Sequence, residues 1–205
     1  MYKRQVVHRL RDREATREQV LKELRWLAGT TQPGDVAMLF LAGHGINEPT
    51  REYYFLPADG DVDRLRDTAV PESAIRLALA RVRGRAVLFV DTCYAGVVTG
   101  EVAVARRDLS RMASELAAPE NGVVVFASST GRQESQERQT WGNGAFTKAL
   151  VEGLRGDADG KRTGSVTMKG LDYHLSVEVA RLTDGRQTPV SQAPAGIADF
   201  ALAAL

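Results

Sequence analysis

The sequence predicts an α/β fold with a mainly parallel central sheet flanked by helices. Two observations lead there. Residues 36–42, 86–90 and 122–127 are unbroken apolar runs of strand length, bounded by turn residues, as in strands buried on both faces. Stretches with apolar residues at helical spacing alternate with them, which is the pattern of parallel βαβ units, and no internal repeat is present.

The elements follow in order. Residues 6–10 (Val-Val-His-Arg-Leu) read as a short first strand. Thr16 is placed to cap a helix over 17–28, with Gln19 three residues later as in a capping box. Val20, Leu21, Leu24 and Leu27 supply the apolar stripe of that helix. Pro33-Gly34 turns the chain into the strand 36–42, which ends at Gly43-His44-Gly45. A short strand over 53–56 is stopped by Pro57, and an acid-rich loop carries Asp59, Asp61 and Asp63. Residues 71–82 form a helix with Ile75, Leu79 and Val82 on its apolar side, closed by Gly84. The strand 86–90 ends in Asp91-Thr92-Cys93-Tyr94-Ala95-Gly96. Residues 97–121 have weak periodicity and read as a basic surface loop with at most one helix. The strand 122–127 ends in Ser128-Ser129-Thr130. Helices over 145–154 and 171–182 are separated by a Gly/Asp-rich turn at 156–165, and the tail passes Pro189 and Pro194 to an apolar end.

Size and composition narrow the function. At 205 residues the chain is one domain in size. With 43% apolar and 26% charged residues it has ordinary globular usage, which excludes disorder. Lys plus Arg number 27 against 26 acids, a net charge of +1 that offers no global field for nucleic acid or an anionic membrane surface. No apolar run approaches the ~20 residues of a membrane span, and the N-terminus lacks an apolar signal core. The single cysteine, Cys93, rules out an internal disulfide and fits a cytoplasmic setting.

Functional groups of parallel sheets gather at the C-terminal ends of strands. Here three strands end in Gly-His-Gly, Asp-Thr-Cys and Ser-Ser-Thr. If the first two are neighbours, His44 and Cys93 share one sheet edge. A thiol beside an imidazole is the minimal equipment for nucleophilic attack on a carbonyl carbon. The imidazole takes the thiol proton and returns it to the leaving amine. Glycine beside His44 lets the Gly45 N–H approach a substrate carbonyl, and with the Cys93 N–H it makes an oxyanion hole, worth ~3 kcal/mol per donor. Taken singly, Cys93 and His44 each read as structural residues. The pair at matching strand ends reverses that. His8, His44, His174 and Cys93 lack metal-ligand spacing.

The runs Phe40-Leu41-Ala42-Gly43-His44-Gly45 and Val87-Leu88-Phe89-Val90-Asp91-Thr92-Cys93-Tyr94-Ala95-Gly96 resemble the histidine and cysteine motifs of caspase-like cysteine peptidases, in the bacterial caspase-family and metacaspase-like branch. Residues 12–17, 54–59, 126–129 and 182–189 are similar to that family's pattern as well. The resemblance implies a caspase-like three-layer sandwich spanning 1–205, with a large-subunit-like segment over 1–96, a linker over about 97–121 and a small-subunit-like segment over 122–205. It implies a His44/Cys93 dyad with Gly45 in the oxyanion hole, acting as an endopeptidase on protein or peptide substrates and needing no cofactor for the chemistry.

It also bears on specificity. Animal caspases carry Gln two residues before the cysteine and cleave after aspartate. Metacaspases carry Asp there and cleave after Arg or Lys, and this chain has Asp91. A carboxylate in a partly desolvated pocket attracts a cationic P1 side chain and repels an anionic one. In the loop after the third strand, where caspases bind aspartate through an arginine, Ser135-Gln136-Glu137 supplies an acid. Asp91, Glu137 and Ser128 are the expected substrate-binding residues. Capping of a nearby backbone by Asp91 and plain solvation of Glu137 are the alternative readings.

Several features depart from the pattern. The family's usual first strand and helix precede the segment that opens here at Val6. Their lack exposes a sheet edge and leaves room for a regulatory or N-terminal completing partner. Arg106, Arg107 and Arg111 lie in the linker cut during caspase activation and are candidate self-processing sites, a solvated helix face being the competing reading. Calcium activates many metacaspases, but their acidic insert after the histidine motif is absent. Asp59, Asp61 and Asp63 read as solvated acids, and Asp157-Ala158-Asp159-Gly160 lacks the remaining EF-hand ligands. A caspase-fold interaction module without turnover is the second functional reading, and a redox-sensing thiol domain the third.

Overall fold

The computed structural model describes residues 5–47, 52–94, 109–119, 122–129 and 144–205, and for Asn47, Cys93, Tyr94, Leu109 and Ser110 the backbone alone. Three apolar strands form the parallel centre of a six-stranded sheet: β1 (Val36–Asn47), β4 (Arg85–Tyr94) and β5 (Val123–Ala127). Antiparallel strands flank them. β2 (Tyr53–Leu56) pairs with the end of β1, the two-residue β3 (Val70–Pro71) with β2, and β7 (Val190–Gln192) with β5. The order across the sheet is β3-β2-β1-β4-β5-β7. β6 (Ser165–Thr167) and β8 (Ala201–Ala204) form a separate antiparallel pair.

Helices cover both faces, giving three layers. On one face α1 (Arg17–Thr30), α3 (Glu72–Ala80) and α4 (Leu109–Leu116) pack Leu24, Ile75, Leu79, Met112 and Leu116 against Leu88, Val90 and Val125. On the other, α5 (Ala145–Glu152) and α6 (Met168–Leu182) pack Phe146, Leu150, Leu171 and Leu175 against Val87, Phe89, Val124 and Phe126. The alternation along β4 and β5 sends successive residues to opposite cores, so both strands need apolar residues throughout. A one-turn helix, α2 (Leu65–Thr68), leads into β3.

Local signals set the helix starts. Thr16 caps α1 by accepting from the Gln19 N–H at 3.4 Å, and Thr167 caps α6 by accepting from the Gly170 N–H at 3.1 Å. The second cap starts α6 at Met168, ahead of the expected 171. Asp59 accepts from the Arg17 N–H at 2.8 Å, and Asp61 from the Asp63 N–H at 3.0 Å. Two of the three loop acids therefore serve backbone N–H groups.

Two sequence expectations are corrected. Residues 6–10 are not a strand: no described strand lies beside them. His8 instead stacks on Trp26 at 3.7 Å between ring centroids and meets Glu23 at 2.5 Å, which lays the segment along α1. The strand 36–42 is not buried on both faces throughout: Val36 packs against the second core, but Met38 and Phe40 on the same face are 36% and 44% exposed. Among the described residues no strand pairs with 36–43 on the side away from β4. The one helix allowed for within 97–121 is α4, and the tail, to which the sequence reading assigns no element, holds β7 and β8.

A buried acid gives a pH-dependent term to stability. Glu72 opens α3 at 5% exposure, with Arg111 of α4 at 3.9 Å and Arg111 in turn bonded to Glu115 at 2.6 Å. Burial, and next the nearby Glu115 charge, push the Glu72 carboxyl up from 4.5 to about 7, outweighing Arg111 and Arg76. The folded state then binds this proton more tightly than the unfolded chain does. Stability from this group is full below about 4.5 and falls as pH rises toward about 7. Glu72→Gln should flatten that fall by roughly 2–3 kcal/mol, read by urea unfolding at pH 5.5 and pH 8. An unchanged difference between the two pH values would contradict this.

Candidate active site

The parallel register of β1 and β4 builds the site. Ala42 pairs with Asp91, Gly43 with Thr92, His44 with Cys93 and Gly45 with Tyr94. Adjacent strands run about 4.8 Å apart, so the Cα positions of His44 and Cys93 are immediate neighbours. Paired positions of a parallel ladder lie on the same face, which here is the face carrying Val87 and Phe89. Both residues stand inside their strands rather than just past them. β1 runs on to Asn47 because residues 44–47 pair with β2, and that hairpin carries His44 on regular backbone. The His44 position is exposed, as is that of Ala42.

The glycines around His44 have structural causes of their own. Gly43 has φ +149°, which side chains disfavour, and a Cβ there would touch the Phe55 ring at 3.4 Å. A Cβ on Gly45 would stand 2.5 Å from Cε2 of Tyr53. Tyr53 is 1% exposed, and its hydroxyl donates to Thr92 Oγ1 at 3.3 Å. The ring therefore lies under Gly45 and reaches across to β4 one residue before Cys93, fastening the two strands where the register pairs 44 with 93. The sequence marks Tyr53 as a strand residue only; nothing near it in the chain signals this fastening.

Asp91 is half-buried on the same face, and its Oδ2 accepts from the Thr147 hydroxyl at 2.5 Å. Thr147 belongs to the first turn of α5, 56 residues along the chain, and is a site residue that sequence reasoning missed. The nearby cation Lys148 is ion-paired with Glu152 on its own helix.

Ser128 does not fit a direct substrate contact. It is fully buried, and its N–H donates to the Val90 carbonyl at 2.8 Å. Its own carbonyl accepts from Nε2 of Gln187 at 2.8 Å. Gln187, 1% exposed, also donates its N–H to Thr183 Oγ1 at 3.1 Å. Ser128 and Gln187 thus join the C-terminal stretch to the end of β5, a positioning role beneath the surface. Arg111 lies in α4 and donates to Glu115. Glu137, Arg106 and Arg107 lie outside the described residues.

No group of three or more His, Cys, Asp or Glu suited to a metal ion occurs among the described residues. Asp159 accepts from the Thr163 and Gly164 N–H groups, which hold its carboxyl below the usual range and close the 159–165 turn internally. No described helix is long and apolar enough to cross a membrane.

Comparison with known proteins gives two matches of use. The family model described as caspase domain matches residues 3–197. Among solved structures, protein GSU0716 from Geobacter sulfurreducens superposes with a TM-score of 0.61 at 19% identity, over 91% of this chain and 76% of that one. That likeness concerns the fold. No curated protein matches the sequence.

Proposed function

The chain belongs to the caspase-domain family of peptidases, and on that premise we propose that it is a cysteine endopeptidase cleaving proteins after Arg or Lys through a Cys93–His44 dyad. The observation that carries the reading is the register pairing of His44 with Cys93 on neighbouring parallel strands. His44 takes the Cys93 thiol proton, and Sγ attacks the scissile carbonyl carbon. The Gly45 and Cys93 N–H groups are the donors proposed for the resulting oxyanion. The C–N bond then breaks as the imidazolium protonates the leaving amine, leaving a thioester on Cys93. Water, deprotonated by His44, hydrolyses the thioester and restores the thiol. No step calls for a metal ion or organic cofactor.

Basic P1 selectivity rests on Asp91, a half-buried carboxylate two residues before Cys93 and in register with exposed Ala42. Ala42, beside it on β1, is small and exposed, so the surface next to Asp91 is reachable from solvent. Glu137 is proposed to add to the same pocket. The setting proposed is the cytoplasm, with protein substrates and a regulatory partner or N-terminal completing segment at the 36–43 edge of β1.

The test is a matched peptide series with Arg, Lys or Asp at P1, with and without calcium. Arg and Lys peptides should be cut and Asp peptides left intact. Cleavage after Asp alone would refute the pocket, and no cleavage under any condition would favour an interaction module. Self-processing has its own test. A protease binds its substrate extended, and Arg111 is held in α4, so Arg106 and Arg107 are the proposed sites. Arg106→Ala with Arg107→Ala should remove the internal fragments seen on gels, whereas Arg111→Ala should leave them. An unchanged fragment pattern in the double variant would end the proposal.

A further inference from the structure

We propose that Phe40, reached across the small Ala42, lines a subsite for a large apolar side chain at P2′, the second substrate residue after the cut. The proposal rests on the peptidase reading above and deepens it by naming a second side chain that the site selects. It starts from a strip of β1. Met38 and Phe40 are 36% and 44% exposed, and Ala42 and His44 follow them at every second position, both exposed. Alternation along a strand puts all four on one face, the face of the Asp91 and Cys93 positions on β4. A lone exposed apolar side chain needs no explanation, but two adjacent ones in line with a candidate active site mark a binding surface.

The chemistry decides which part of the substrate passes there. His44 protonates the leaving amine, so the departing chain lies on the β1 side of the cut and the acyl part on the β4 side. An extended substrate alternates its side chains, so P2′ points the same way as P1. The P1 side chain is directed from Cys93 toward Asp91, two residues back along β4. A step of two substrate residues, about 7 Å, carries the P2′ side chain over β1, where the same direction leads from His44 to Ala42. The opposite direction is closed: Ile46, the next residue on this face of β1, is 4% exposed and pairs with Tyr54 at 3%. Ala42 keeps the surface low, and the Phe40 ring follows roughly 7 Å farther along the strand, with Met38 behind it. A leucine, methionine or aromatic side chain at P2′ crosses Ala42 and rests against that ring, whereas serine falls short of it.

This contact is made equally before and during the chemistry, so it changes KM and spares kcat. Half-covering a leucine side chain on an open face is worth roughly fivefold in KM. The experiment compares two peptides with Arg at P1 that differ only in Leu or Ser at P2′. The wild-type protein should give a KM about fivefold lower for the Leu peptide, with kcat equal within about twofold. Phe40→Ser should bring the ratio of the two KM values to about one, and Phe40→Leu should keep it within about twofold of the wild-type ratio. Equal KM values in the wild-type protein overturn the proposal, whether or not the variants fold. A Phe40→Ser protein that keeps the wild-type ratio overturns it as well. The same holds for a wild-type dimer that Phe40→Ser converts to a monomer in sedimentation, because a second copy then covers this face. A wild-type protein that cuts Arg peptides without regard to P2′ defeats this inference alone. If it cuts no Arg or Lys peptide, the peptidase reading itself has failed, and this inference with it.

Discussion

Cys93→Ala should abolish peptide cleavage, lowering kcat/KM by on the order of 10⁴-fold or more, with the fold intact. The size follows from the role: without Sγ no thioester forms, and only ground-state binding remains. The fold should survive because the hydrogen-bonded ladder of β4 does not depend on the residue at 93, and its anchors lie elsewhere. Val90 and Thr92 are buried, Thr92 is tied to Tyr53, and Val90 accepts from Ser128. Thermal unfolding should therefore overlay that of the wild type. His44→Ala should fall nearly as far, and the double variant little further, since base and nucleophile act as one unit. Cleavage by Cys93→Ala above a tenth of the wild-type rate would mean that another group attacks.

The second large effect belongs to Asp91→Asn. Asparagine keeps the size and an oxygen to accept the Thr147 hydroxyl, so packing against α5 should hold. The charge is lost, and a buried basic P1 side chain is left without its counter-ion, a cost of about 3–5 kcal/mol. For Arg and Lys peptides kcat/KM should drop by roughly 10²- to 5 × 10³-fold, while peptides with Met at P1 change little. The ratio between these peptides is the measurement. A variant that still prefers Arg by the wild-type ratio would move selectivity away from Asp91.

Much of this was legible in the sequence, for identifiable reasons. β1, β4 and β5 show as unbroken apolar runs because β4 and β5 feed two cores at once. That same pattern hid the exposure of Met38 and Phe40, since a run of apolar residues does not reveal whether a helix covers it. Thr16 announced α1 because capping is local. Residues 6–10 misled because β-branched residues favour a strand only where a neighbouring strand exists to pair with. β6, β7 and β8 are three or four residues long, too short to show a period.

At the site, the motifs placed His44 and Cys93 at matching strand ends, and the register pairs them. The props beneath them were hidden. Tyr53 under Gly45, Thr147 on Asp91 and Gln187 on the Ser128 carbonyl all join residues far apart in the chain, and no spacing rule anticipates such contacts. Ser128 itself shows the converse. Its place after a strand suggested substrate contact, and burial gives it a structural task instead.

The most direct measurement is intact-mass spectrometry after treatment with matched irreversible peptidyl electrophiles bearing Arg or Asp at P1. The chain has one cysteine, so a thiol adduct has a single address. The Arg reagent should add once, at Cys93, rapidly in the wild-type protein and far more slowly in His44→Ala, and the Asp reagent should leave the mass unchanged. A protein that stays unmodified by the Arg reagent, or that takes up the Asp reagent faster, would contradict a basic-selective Cys93–His44 peptidase.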